Sequence, residues 1–131
     1  MIIRAYMAHS IRGAKGKDAT HADMEANNAR AIKFAAWVRT AFPNLDIYCP
    51  GSHDLFVMLA YEAGFLTEEQ ILHIDKIILG NQDALIVYAP DGYLGGGVGI
   101  EIAEAQRLDK PIAFTRGSLD PIAWLLKEFV P

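Results

Sequence analysis

A chain of 131 residues has room for one compact domain built on one core. Its residues are 52% hydrophobic and only 21% charged, which excludes a disordered chain. The net charge is −4 and no basic cluster stands out against it, so binding to a nucleic-acid polymer by phosphate neutralisation is not expected. No apolar run approaches membrane-spanning length. The start, "MIIRAYMAHSIRG", lacks the charged region, long apolar run and small-residue cleavage site of a signal peptide. The single cysteine, Cys49, has no partner for an internal disulfide, and a reducing cytoplasm is the expected setting.

In chain order, "IIRAYMA" (2–8) is rich in β-formers and is followed by the polar, glycine-containing "HSIRGAKGKDA", giving a strand and then a loop. From about Thr20 to Phe42 the apolar residues Ala31, Phe34, Ala35 and Val38 fall at helical spacing, and Pro43 with Asn44 ends the helix. "LDIYCP" (45–50) reads as a second strand whose cysteine is expected to be buried and structural, with no base nearby to make it a nucleophile. "DLFVMLAYEAG" (54–64) is compatible with a short helix or with a covering loop. Thr67 and Gln70 form a capping box for a helix reaching about Gly80. "DALIVYA" (83–89) has the continuous apolar character of a central parallel strand. "PDGYLGGG" is a loop, "VGIEIAEAQRLD" a helix and "PIAFT" (111–115) a strand. Asp120 and Pro121 supply an N-cap and a first-turn proline for a final helix.

Strands alternating with helices predict a three-layer α/β domain with a parallel sheet, spanning 1–131. Ligands of such sheets bind beyond the carboxyl ends of the strands, which selects the loops after the first strand and after the strand at 83–89. In the second loop, Gly95, Gly96, Gly97 and Gly99 precede or open a helix, whose free N–H groups favour an anion or a hydroxyl-rich ligand. A turn that needs positive φ is the other reading of the same glycines. The lysine and Ser/Thr of a P-loop are missing, and the spacing is wrong for a dinucleotide fingerprint.

Glu101, near the positive end of that helix, is expected to have a lowered pKa, which suits a nucleophile; an ordinary N-terminal glutamate is the alternative. Asp75 interrupts the apolar face of "ILHIDKIIL" and is either a cleft acid or a surface charge. Ser10 and Arg12, with Lys15 and Lys17 nearby, would serve a phosphate or a ribose hydroxyl, or would simply form a solvated basic loop. The four histidines show no metal-ligand spacing, and neither a metal nor a cofactor is expected. Paired carboxylates around an electrophilic sugar carbon are the equipment for cleaving a glycosidic bond.

Three segments, "AYMAHSIRG", "IDKIILGNQDALIVY" and "GGGVGIEIAEAQRLDKP", together resemble the nucleoside 2-deoxyribosyltransferase superfamily, and most closely its 2'-deoxynucleoside 5'-monophosphate N-glycosidase branch. The matching positions are Tyr6, then Ser10-Ile11-Arg12-Gly13, then Asp75 with Asp83, then Gly97-Val98-Gly99-Ile100-Glu101. The resemblance implies a Rossmann-like fold with a four- or five-stranded parallel sheet. It also implies a retaining reaction at C1' of a nucleotide or nucleoside, with Glu101 as nucleophile. Tyr6 would orient Glu101, and Asp75 would assist departure of the base and attack by water. Ser10, Ile11, Arg12, Gly13, Gly95, Gly96, Gly97 and Gly99 would bind substrate, the 5' end lying against Ser10, Arg12 and the amides of the glycine loop. A homodimer or higher homo-oligomer is implied as well.

The chain departs from the family pattern at His9, which replaces the first glycine of G-S-I-R-G, and at Gly95, where the monophosphate branch usually carries a phosphate-binding serine. Hydrolysis of monophosphates, hydrolysis of nucleosides and base transfer therefore all stay open. The cytokinin-activating phosphoribohydrolases share a glycine loop before a glutamate, but their P-G-G-x-G-T-x-x-E pattern fits "PDGYLGGGVGIE" poorly. The alternative from another class is a non-catalytic nucleotide-binding module on the same fold. Two carboxylates beside an anionic ligand argue against it, because like charges weaken binding.

Overall fold

The computed structural model describes residues 1–130. Strands β1 (Ile3–Ala8), β2 (Leu45–Tyr48), β3 (Ala84–Tyr88) and β4 (Ile112–Thr115) form one four-stranded, all-parallel sheet in the order β2-β1-β3-β4. Helices α1 (His21–Ala41), α2 (Asp54–Glu62), α3 (Glu68–Gly80), α4 (Gly96–Arg107) and α5 (Asp120–Leu126) flank the sheet in a three-layer, Rossmann-like α/β fold. No helix among the described residues is long and apolar enough to cross a membrane.

The period-two alternation of the central strands assigns their side chains to two separate cores. Ala5, Met7, Ala84, Ile86 and Tyr88 face one layer, where they pack on Ala31, Phe34, Ala35 and Val38 of α1 and on Ile122 and Leu125 of α5. The Phe34 and Tyr88 rings stack there with centroids 4.4 Å apart. Tyr6, Ala8, Leu85 and Val87 face the opposite layer with Leu79 of α3 and with Val98 and Ala105 of α4. Burial on both faces explains why "ALIVY" reads as an unbroken apolar run.

Local chemistry sets the boundaries. Both Thr20 of α1 and Thr67 of α3 close complete capping boxes, with Asp23 and Gln70 respectively. The segment at 54–64, compatible with helix or loop in sequence, forms the nine-residue α2. Helix α4 starts at Gly96, two residues ahead of the expected valine. The final helix corrects the expected cap: Leu119 is the N-cap and Asp120 is the first helical residue. Ser118 Oγ accepts the Asp120 N–H at 3.1 Å, so a serine turn does the work expected of the aspartate side chain.

Asp83 registers the central strand pair from both ends of the residue. Its N–H donates to Arg4 O at 2.7 Å, and its carboxylate accepts the Arg4 N–H at 2.9 Å. Asp83→Ala should cost about 1 kcal/mol of stability in urea titration, and Asp83→Asn, which keeps an acceptor, should recover most of it.

Candidate active site

The sheet order reverses direction between β1 and β3, so the loops leaving those two strands diverge and open a crevice at their carboxyl ends. A cleft of about 390 Å³ lies there. Tyr6 and the loop Ser10-Ile11-Arg12-Gly13 form one side, Asp75 of α3 another, and Gly95, Gly96, Gly97 and Glu101 the third. Ten of the eleven site residues expected from sequence border it. Gly99 does not: it sits one turn into α4, where its N–H donates to Gly95 O at 3.1 Å. Lys15 and Lys17 are absent from the lining, and Lys15 Nζ is held by the Asp23 carboxylate at 3.1 and 3.2 Å. Arg12 is the cationic side chain in the wall, and its guanidinium lies 4.0 Å from Glu68, itself part of the lining.

The glycines divide into two kinds. Gly95 has φ +82°, and a Cβ there would meet the Tyr93 ring at 3.3 Å and Ser10 Oγ at 3.4 Å, so both backbone and space require glycine. Gly96 and Gly97 have ordinary helical backbone, and a Cβ on either would meet nothing within 4 Å. No packing inside the protein demands them, and both border the cleft. The N–H groups of Gly96, Gly97 and Val98 precede the first hydrogen bond of α4, and no side chain caps them.

The opposing loop is held from α1. Asn27 Nδ2 donates to Ile11 O at 2.9 Å, and Gly13 N–H donates to Ser10 Oγ at 2.9 Å. Gly13 sits at φ +68° with Asn27 close enough to contact any Cβ, so the Ile11–Gly13 turn is fixed against the helix.

Burial dominates the charges. Glu101 is only 7% exposed, and loss of water lifts its carboxyl to about 7, with Asp75 nearby adding a smaller upward push. The lowered pKa expected from the helix dipole is therefore overturned: desolvation outweighs the N-terminus. Asp75 is lifted by burial to about 6. The Tyr6 hydroxyl is wholly buried and stands beside Glu101, tempering the rise of that carboxyl, but it has not closed a hydrogen bond of normal geometry. Burial first, and then the two carboxylates, push the Tyr6 phenol far above its ordinary range, so it is a neutral donor.

Several cleft residues carry no sequence motif. Ile71 and Leu72 come from the same helix face as Asp75, one turn earlier, while Pro50 opens the 3-10 turn at 50–53 and Tyr93 and Leu94 come from a loop. His9 also borders the cleft and was legible only as a departure from a glycine pattern. Its Nε2 accepts the Gly51 N–H at 3.0 Å and lies 3.6 Å from Cys49 Sγ, so a base does stand near the cysteine. Burial pulls His9 down to about 4 and raises the Cys49 thiol, which leaves a neutral, packed pair rather than an activated nucleophile. Among the described residues, no three His, Cys, Asp or Glu side chains gather as a metal site.

Comparison with known proteins finds no family model, no curated protein and no solved structure that matches the chain.

The raised carboxyls set a pH dependence of stability. An unfolded glutamate releases its proton near 4.5, whereas the folded Glu101 holds it to about 7; Asp75 behaves alike between 3.8 and about 6. The folded state binds more protons in that window, so stability falls as pH rises through it. Thermal unfolding should show Tm dropping by several degrees between about pH 5 and pH 8, and Glu101→Gln should flatten most of the slope.

Proposed function

We propose that the chain is an N-glycosidase that cleaves the bond between base and sugar in nucleosides or nucleoside 5'-monophosphates. The observation that carries this reading is the convergence of Glu101, Asp75 and Tyr6 in one cleft above glycines that leave open space. Glu101 attacks C1', its carboxylate forming an ester bond to the sugar as the C1'–N bond breaks. Asp75 gives its proton to the departing base, then takes one from the water that attacks C1' and releases Glu101. Tyr6, the neutral donor beside Glu101, closes its hydrogen bond to the carboxylate as substrate seats and holds that oxygen toward the sugar.

The raised pKa values order the two carboxyls the other way, Asp75 at about 6 ionising before Glu101 at about 7, so the reaction starts from the less populated arrangement in which the single proton sits on Asp75. One carboxyl at about 7 and another at about 6 interact, so the pair sheds its first proton before the second and carries one negative charge near neutrality. One ionised and one protonated carboxyl is the state that a nucleophile and an acid require. The rate should therefore be bell-shaped in pH, with both limbs belonging to the pair. The base-transfer variant of the reaction differs only in the acceptor, a second base replacing water at the glycosyl ester.

A panel of nucleosides and nucleoside 5'-monophosphates, with free base followed by chromatography, tests the reaction. Wild type should release base from at least one member, and Glu101→Ala should lose about a thousandfold or more. Equal inertness of both across the panel sinks the reading, and tight nucleotide binding without base release would transfer it to a non-catalytic binding module. Gly97→Ala separates cleft from scaffold. It should leave stability equal or higher by up to about 1 kcal/mol, since alanine suits a helix better than glycine, while its methyl group lowers kcat/KM at least about tenfold.

A further inference from the structure

The cleft that holds Glu101 and Asp75 has a third carboxylate in its wall. Glu68 is the first residue of α3, two turns ahead of Asp75 along the same helix. Its carboxylate stands 4.0 Å from the Arg12 guanidinium, which reaches it from the loop after β1. With the Arg12 and Glu68 side chains 52% and 70% exposed, the pair adds little to stability. Its effect is on the charge that a ligand meets. Among the described residues Arg12 is the one cationic side chain in the lining, and Lys15, absent from it, is held by Asp23. Glu68 cancels that charge.

We propose, on the glycosidase reading above, that Glu68 is a specificity-determining residue. It makes the cleft select a nucleoside, whose C5' end is an uncharged hydroxyl, over the 5'-monophosphate of the same nucleoside. With C1' facing Glu101 and the base leaving beside Asp75, the wall of Ser10, Arg12 and Gly95 receives the C5' end. A phosphate there brings nearly two negative charges. It meets an Arg12 that is already paired, in a cleft that holds two further carboxyls. The chain from Pro50 to Asp75, both in the lining, carries Asp54, Glu62, Glu68, Glu69 and Asp75 but no lysine or arginine, so the field on that side repels an anion as well. Gly95 offers no hydroxyl, and its φ of +82°, with Tyr93 and Ser10 crowding any Cβ, keeps a side chain from being placed there. What remains are neutral donors, the Ser10 hydroxyl and the N–H groups that open α4. The helix end counts for about half a positive charge, too little to offset a phosphate. Its N–H groups serve a hydroxyl oxygen without that deficit.

Base release from one nucleoside and from its own 5'-monophosphate, followed side by side at about pH 7 and about 50 mM salt, measures the selection. Wild-type kcat/KM should favour the nucleoside at least about tenfold. Glu68→Gln keeps the size and removes the charge, and it should raise the ratio of monophosphate to nucleoside kcat/KM about tenfold. Salt at about 1 M should raise the wild-type ratio in the same direction. Glu69→Gln removes the neighbouring charge, which lies outside the lining, and should leave the ratio within about twofold. A wild-type preference for the monophosphate overturns the proposal, as does a ratio that Glu68→Gln leaves unmoved or that Glu69→Gln moves equally. Calorimetric binding of the same pair to Glu101→Gln keeps selection apart from catalysis. If wild type releases no base while the nucleoside binds at least about tenfold tighter than the monophosphate, the glycosidase reading fails and the selection by Glu68 stands. Equal binding of the two, or binding of neither, overturns the selection as well.

Discussion

The cleft depends on β1 serving two layers at once. Because successive side chains of a strand point to opposite faces, Met7 is committed to the α1 core and Tyr6 to the α3–α4 side. That placement sets the phenol beside Glu101 and Asp75, which arrive from two different helices. A slip of one residue between β1 and β3 would exchange Tyr6 with Met7 and dismantle both the packing and the site. The paired hydrogen bonds between Asp83 and Arg4 guard against that slip from the far end of the strands. Register, rather than any one contact in the cleft, is the constraint from which the rest follows.

Within the cleft, two physical effects on Glu101 compete, and their sizes decide the outcome. A helix N-terminus stabilises a carboxylate by about 0.3–1 kcal/mol when exposed and by about 2 kcal/mol in favourable partly buried geometries. Removing most of its water costs a carboxylate several kcal/mol. The larger effect wins, and the glutamate titrates near neutrality instead of near 4. In the proposed reaction this would favour attack, since a poorly solvated carboxylate is a better nucleophile than a hydrated one. It also gives the pair a distribution of charge that neither acid would have alone.

Much of the fold was legible in the sequence because its signals are local and strong. The apolar run of β3, the capping boxes at Thr20 and Thr67 and the spacing of Ala31, Phe34, Ala35 and Val38 specify elements without reference to the rest of the chain. Tyr6, Asp75 and Glu101 could be named because a resemblance ordered them, and the parallel topology then brings them to one crevice. Burial was not legible. The dipole at the start of α4 can be read from sequence, but the desolvation of Glu101 is a property of the packed layers, so the direction of its pKa was misjudged. Lys15 reads as a source of positive potential near Ser10 and Arg12, because nothing local reveals its bond to Asp23. The proximity of His9 to Cys49 joins residues forty positions apart and had no signature at all.

The His9 ring lies so close to Gly51 that a Cβ on that glycine would sit 2.9 Å from it. Gly51 belongs to the turn that launches α2, and His9 immediately precedes Ser10 at the rim of the cleft. The outermost helix and the interior crevice thus share one hard contact with no compressible side chain between them. The Gly51 N–H also donates to His9 Nε2 at 3.0 Å, which ties the turn to the residue that follows β1. A side chain added at Gly51 would therefore disturb the rim of the cleft and the start of α2 together.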